Sequence, residues 1–432
     1  MKLRAWILFV LMVAAAGRGA GLAVARGRTF TLAVIPEEDS GLADVFFSVL
    51  AKTPNATLVE RAELERLARE AGLTSLAGGD PVRLGQLVKA DALVFVRRSG
   101  KRLFVRLTET LRGVRLFQAV DDATVPGAEQ LAGIVQDQLN RRAALLAADA
   151  ADRRYLAIDP FVVKKDRRTR CPEFEHLHDL LAVRLATLPG VVCLEREALD
   201  RVDFERKLDA AGKDQALTRA DWLLRGVCDV KDGSVASVAL HVQSLHDSRE
   251  RHRDPAEVRS AELQEGLSAM TAWIGGILDV GVNRAAPLDA SREAVTQFAI
   301  GRTYAARGLR DRALRCYRVA HILDPHERSY TWTLASSLVG SVGERTDRLS
   351  KMEEMIEAMD LCQYVLCTNR CCFDDSYSNN TYPWQDLPTF LRGVPSNPDD
   401  SDRELVSRFR RRFRAYVEWL YGFKDGVPNK RH

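Results

Sequence analysis

Leu-Val-Glu-Arg-Ala-Glu-Leu-Glu-Arg-Leu-Ala-Arg-Glu, at Leu58–Glu70, has a second version in this chain. That version is Cys-Leu-Glu-Arg-Glu-Ala-Leu-Asp-Arg-Val-Asp-Phe-Glu, at Cys193–Glu205. Glu195 follows Glu60, and Glu205 follows Glu70, by the same 135 positions. A pattern that returns at a fixed offset points to two copies of one folding unit. In the first copy Leu64, Leu67, Ala68 and Ala71 fall at i, i+3, i+4 and i+7, which predicts a helix with one buried face.

The likeness extends outward from that helix. Upstream, Leu32-Ala33-Val34-Ile35-Pro36 matches Leu156-Ala157-Ile158-Asp159-Pro160 at an offset of 124. Downstream, Ala90-Asp91-Ala92-Leu93-Val94 matches Ala220-Asp221-Trp222-Leu223-Leu224 at an offset of 130. Each block therefore reads as an apolar strand ending near Pro, a helix, a short strand, the Glu-Arg helix and a strand led by Ala-Asp. Asp80 before Pro81 is a predicted helix start. In the first block Leu103, Val105 and Leu107 alternate with Arg102, Arg106 and Thr108, the period of a strand with one wet face. Val114–Val120 is expected to pair with it across Arg112-Gly113, and a helix over Gly127–Ala148 closes the block. The second block repeats the alternation at Val238, Leu240 and Val242 and closes with a helix near Glu262–Val280. Its residues 248–258 are dense in charge and show no third hairpin strand. The expected fold class is α/β (α+β), as tandem duplicated mixed-sheet units over 26–149 and 150–284.

These residues resemble the domain shared by the curli-secretion lipoprotein family and its periplasmic relatives, including the amino-terminal domain of the Tol–Pal translocation protein. The resemblance rests on the Leu-Ala-Val-Ile-Pro strand, the Leu-Val-Glu-Arg helix start with Glu70, Leu84-Gly85 ahead of Ala90–Val94, and the Val105–Thr110 strand. It implies an envelope protein with a mixed α/β sheet, and no catalytic residue. Curli-type pores are lipid-anchored and carry amphipathic membrane hairpins. This chain shows neither a lipid-anchor Cys near its leader nor long alternating strands with a lipid-facing band.

After Pro287 the pattern changes to helix pairs. Residues 291–325 resemble a tetratricopeptide repeat, with Gly301, Tyr304, Gly308, Ala313, Tyr317, Ala320 and Pro325 at that repeat's spacing and Gln297 where it usually has Trp. The helical region so defined is 285–345, and the segment after Pro325 is expected to be a degenerate second repeat. In such a repeat the first helix lines a groove, which makes Phe298 and Arg302 the expected partner contacts. The remainder, 346–432, is read as a polar loop over Phe373–Asp400 and a last helix. Leu405, Phe409, Phe413, Tyr416 and Leu420 form its stripe, with Arg408, Arg411, Arg412 and Arg414 outside. That stripe reads as a packing face, and its arginines leave a peripheral contact with anionic lipid open.

The first 25 residues read differently from the rest. Lys2 and Arg4 precede the apolar run Ala5–Ala16, and Ala23-Val24-Ala25 offers a small-residue cleavage site. This is the pattern of a secretory signal peptide, with an uncleaved anchor as the alternative. Without Lys2, Arg4 and Arg18 the formal charge falls from +4 to +1, which argues against a general nucleic-acid binder.

The candidate chemistry is sparse. Cys362, Cys367, Cys371 and Cys372 crowd together and are read as a disulfide cluster, buried thiols or, least, a metal set. His176 and His178 are expected at a solvated helix start, pointing to different sides. Glu60-Arg61 and Glu195-Arg196 are expected to brace strand-to-helix junctions, and Asp91 and Asp221 to serve turns. No glycine-rich phosphate loop or Gly-x-Ser-x-Gly elbow occurs. The sequence thus predicts a non-enzymatic exported scaffold or adaptor, without cofactor or metal, that binds a protein partner in the cell envelope. The alternative is an oligomeric component of an envelope secretion or assembly machine without a pore of its own.

Overall fold

The parallel pairing of the first strand with a later, Ala-Asp-led strand organises each of the two sheets in a computed structural model of this chain. The structure describes residues 29–37, 40–70, 81–165, 171–194, 220–231, 233–247, 249–280, 289–342, 352, 354–361 and 403–422. The leader, Asp80, the second Glu-Arg helix from Glu195 onward, the four clustered cysteines and the polar loop lie outside the described residues.

The first sheet grows from β1 (Phe30–Pro36), followed by α1 (Ser40–Leu50), β2 (Ala56–Leu58), α2 (Arg61–Glu70) and α3 (Pro81–Val88). Then come β3 (Ala92–Ser99), β4 (Arg102–Glu109), β5 (Arg115–Asp122) and α4 (Val125–Ala147). The strand order is β2-β1-β3-β4-β5. β1 pairs in parallel with β2 and β3, while β3 and β4 are antiparallel. Leu32 through Ile35 are fully buried, as a parallel central strand covered on both faces requires. The closing helix begins two residues before the expected Gly127. Thr124 Oγ1 accepts from Gly127 N at 3.2 Å and Pro126 sits in the first turn, a capping pair that moves the start upstream.

The second sheet contains β6 (Arg154–Ile158), β7 (Val162–Lys164), β8 (Val191–Cys193), β9 (Trp222–Val230), β10 (Val235–Ser244) and β11 (Glu250–Arg259). Helices α5 (Pro172–Glu175) and α6 (Leu177–Leu185) precede β8, and α7 (Leu263–Ile277) follows β11. The order is β11-β10-β9-β6-β8, with β7 also on β9. Read from its other end, this is the order of the first sheet.

The correspondence reaches single hydrogen bonds. Leu32 lies opposite Ala92 and Val34 opposite Val94; Leu156 lies opposite Trp222 and Ile158 opposite Leu224. The amide of Val59 donates to Leu32 O, and that of Leu194 to Leu156 O, at 2.8 and 2.9 Å. The amide of Phe30 donates to Asn55 O, and that of Arg154 to Gly190 O. Asn55 and Gly190 share a left-handed backbone, with φ of 59° and 80°. All these pairs obey the sequence offsets of 124, 130 and 135.

β11 supplies the third hairpin strand that is not evident in the charge-dense residues 248–258. Only Val258 of this strand is buried, so no apolar alternation marks it. It forms because β10 offers a free edge, and its charges suit the outermost position, where they discourage further pairing. Pro255 is tolerated there for the same reason.

The helical part comprises α8 (Ala290–Ala306), α9 (Arg310–Leu323), α10 (Arg328–Val342), helical residues 354–361 and α11 (Arg403–Gly422). Gly308 turns α8 into α9 with φ +75°, and a Cβ on Gly301 would fall 2.6 Å from the Tyr317 ring. Val406 and Phe409 of α11 are buried against Met352, Met355, Ile356 and Met359, with Leu405 and Phe413 beside them. The part of the stripe formed by Leu405, Phe409 and Phe413 is thus a packing face. By contacts the chain divides into two compact units. One holds residues 1–117, 121–155 and 189–192; the other holds the remainder, including the whole helical part. Among the described residues no helix is long and apolar enough to cross a membrane.

The β4–β5 turn is built around a fully buried carboxylate. Glu109 accepts the amides of Leu111, Arg112 and Val114 at 2.8, 2.9 and 3.2 Å, and its Oε2 lies 3.4 Å from Arg153 Nη1. Arg153 also donates to the carbonyls of Leu146 and Ala148 at the end of α4, where a cation meets the negative pole of the helix. Arg112 stacks 3.9 Å over the Tyr155 ring. Burial, and then the Glu109 charge, push the Tyr155 hydroxyl far up, so it stays protonated. Replacing Glu109 by Ala should cost about 3–5 kcal/mol, since it strands a buried guanidinium and three turn amides. Urea unfolding checks this, and a loss below about 1 kcal/mol would show that the turn closes without the carboxylate.

Candidate functional site

A cavity of about 700 Å³ opens where the start of α5, the start of α7, α9, α10 and helical residues 354–361 meet. All of these belong to the second compact unit. The lining is unusual for its charge. Glu173, Glu175, Glu354, Glu357 and Asp360 line it with Lys165, Arg318, His321 and Cys171, and Asp360 is ion-paired to Arg412 of α11 at 2.5 Å.

Local geometry brings these groups together. Arg318 and His321 are three apart on α9 and so share a face. Glu354 and Glu357 have the same spacing on the helical segment, which packs its methionines the other way. Arg318 binds Glu357 through two parallel contacts, Nε to Oε1 at 3.2 Å and Nη2 to Oε2 at 2.9 Å. Burial alone would lower the Arg318 pKa, yet Glu357, helped by Glu354 and Glu175, holds it above its ordinary value. On the opposite wall Lys165 is ion-paired to Glu175. Burial works against the Glu175 charge, but Lys165, His176 and Arg318 outweigh it and keep the carboxyl below its usual range.

Cys171 sits in this wall with its Sγ 3.7 Å from Glu175 Oε1. Burial, then the Glu175 charge, push its thiol up to about 12, so it is no thiolate near neutral pH. His321 Nδ1 shares a 3.0 Å hydrogen bond with the buried Thr331 hydroxyl, and burial pulls its pKa down. The cavity therefore offers several carboxylates, two of them already paired to Lys165 and Arg318, rather than a thiolate nucleophile. That chemistry suits the capture of a cationic group.

Phe298 and Arg302, the expected partner contacts, are on α8 and do not line this cavity. Phe298 is half-buried, tilted against Tyr317 at 5.5 Å and Tyr330 at 4.8 Å. Arg302 lies near enough to Tyr317 for its charge to favour the phenolate, although burial outweighs it and moves the Tyr317 pKa up to about 12. Cys171, Cys193, Cys228 and Cys316 are not in disulfides.

The histidine pair differs from expectation. His176 and His178 are both buried, and both reach Asp179, at 3.3 and 3.2 Å. His176 is the junction between α5 and α6, with φ −104° and ψ 14°, so regular helical spacing does not govern where the two rings point. Burial opposes the Asp179 charge, but the two histidines hold its carboxyl below the usual range.

Arg61 pairs with Asp44 of α1 and with Glu65, each at 3.1 Å. Asp91 Oδ2 accepts the Thr31 amide at 2.8 Å, and Asp221 Oδ1 lies 2.9 Å from His246 Nε2. Sequence reasoning missed the cavity because Arg318 and Glu357 are distant in the chain, with no local motif joining them. The one available signal was Glu354 and Glu357 set among Met352, Met355, Ile356 and Met359.

His321 supplies a pH test of this wall. Its folded pKa lies below the ordinary 6.5, so its contribution to stability is complete above that value and is lost as pH falls through the folded pKa. The urea midpoint of the native chain should fall on acidification below 6.5, and His321→Gln should remove that part of the fall. Identical pH profiles for the two proteins would mean His321 is not buried as described.

No protein-family model matches the chain, and no curated protein does.

Proposed function

We propose that this chain is a non-enzymatic scaffold or adaptor of the cell envelope, exported by its leader, whose tetratricopeptide-like helical part takes a segment of a protein partner. The observation that carries this reading is the acid-rich cavity of about 700 Å³ walled by α9, α10 and helical residues 354–361. A cavity of that size admits one or two side chains, and its excess of carboxylates selects lysine or arginine. The bound segment is therefore basic.

The body of the adaptor, on this reading, is a duplicated α/β unit. Its support is the equal strand order and the matched registers Leu32–Ala92 and Leu156–Trp222. The turn bonds agree as well: Glu109 N donates to Val114 O, and Ser244 N to Arg249 O. The tetratricopeptide-like character is supported by the close approach of Gly301 to Tyr317 and by the Gly308 turn. The Cys171 thiol beside Glu175 is pushed up to about 12, so it is not held as a thiolate, which favours binding over catalysis.

Three measurements test the proposal together. Intact-mass analysis of cell fractions should find a mature chain lacking residues 1–25 outside the cytoplasm. Selection of random peptides against that chain should enrich lysine and arginine, with binding that weakens as salt rises. Glu173→Lys and Glu354→Gln should each reduce the affinity of a selected peptide about tenfold or more, whereas Arg302→Glu on α8 should change it less than threefold. Enrichment of acidic or purely apolar peptides would refute the basic-segment reading. A ring-sized species by native mass spectrometry would favour an assembly component over an adaptor.

A further inference from the structure

His241 and His252 face each other across β10 and β11 in direct register. Their rings stack with centroids 4.3 Å apart and an interplanar angle of 7°. Glu250 lies two residues before His252 on the same strand, hence on the same face of the sheet. Its Oε2 is 3.4 Å from His241 Nε2 and 3.8 Å from His252 Nε2. The three ligand atoms lie within 4.8 Å of one another. His241 Nε2 is enclosed without a hydrogen bond.

These separations have a chemical meaning. Ligand atoms about 2.1 Å from a tetrahedral zinc ion stand roughly 3.4 Å from one another. The Glu250–His241 separation already matches that, and binding would turn the two stacked rings so that both Nε2 lone pairs converge on one ion. Two imidazoles and one carboxylate are a donor set that divalent zinc-type ions prefer, with water completing the shell. Glu250 and His252 are open to solvent, with side chains 45% and 68% exposed, while His241 is 23% exposed and its Nε2 is shielded. His241 alternates with the buried Leu240 and Val242, so it is held from behind by the core. The cation beside it on β9, Arg225, turns away to Asp159 at 3.0 Å.

We propose that His241, Glu250 and His252 form a surface site for a divalent transition-metal ion of the zinc type. The ion joins β10 to β11. It thereby pins the register of an edge strand that has almost no apolar anchor, with only Val258 buried. Ligands that span two strands bind a metal only when those strands are paired, so the ion stabilises the paired state. This site is separate from the acid-rich cavity and does not depend on what that cavity holds.

The test uses the full chain, stripped of metal and with its thiols alkylated so that cysteines cannot bind. Titration with cobalt(II) should show one saturable site with nitrogen and oxygen ligation in the visible spectrum, and zinc should displace it. His241→Gln, Glu250→Gln and His252→Gln should each weaken binding at least tenfold, since even outer-shell losses cost that much. Gln243→Ala, on the same face but outside the triad, should leave it unchanged. Zinc should also slow hydrogen exchange of the Glu250–Arg259 amides in the native chain and not in His252→Gln. No saturable binding after alkylation would overturn the site, and so would equal affinity in the native chain and the His252→Gln variant. Because His252 is mostly exposed, that variant keeps the fold and a lost signal reports the ligand.

Discussion

The parallel register between the first strand and the Ala-Asp-led strand is the constraint on which each sheet depends. Leu32 opposite Ala92, and Leu156 opposite Trp222, place apolar side chains on both faces of the central strands. A slip of one residue would exchange every side chain between faces. It would also move Asp91 away from the Thr31 amide that its carboxylate accepts. The helices on one side and the hairpin on the other are then held at fixed positions along a strand pair that cannot slide.

The same position in the two turns is solved by different chemistry. Glu109 closes the first turn with a charge, which burial makes costly and which Arg153 and three amides must offset. Ser244, its counterpart, receives weaker contacts from His246 and Asp247 at 3.4 Å each. A hydroxyl needs no counter-ion. The first turn therefore draws in Arg153, the end of α4 and Tyr155, while the second stays local. The charges of the helical part follow the first pattern. Arg318 is tolerated half-buried because Glu357 meets it with two oxygens at once.

Much of this arrangement was legible in the chain. Alternation at Leu103, Val105 and Leu107 marked β4, and Val238, Leu240 and Val242 marked β10, because each strand has one buried face. The stripe of the last helix named Leu405, Phe409 and Phe413, and these meet a methionine-rich core. β11 was not legible, because its pairing rests on backbone bonds to β10 rather than on its own side chains. His176 and His178 were misread for a related reason: a kink between two short helices suspends the periodicity from which their directions were inferred. The cavity escaped notice because its walls come from four separate parts of the chain, within 165–175, 260–264, 318–334 and 354–361.

By itself, then, the sequence determined which segments are strands and helices wherever burial imposes a period, and it determined the three offsets that relate the two sheets. Local patterning is enough for that, since a period of two or 3.6 is written into neighbouring residues. Only the tertiary structure decided which charges meet. Glu109 with Arg153, Arg318 with Glu357, and His241 with Glu250 and His252 are brought together by strand register and helix packing. An ionic or metal-binding contact depends on distances of a few ångströms between groups that no local pattern connects.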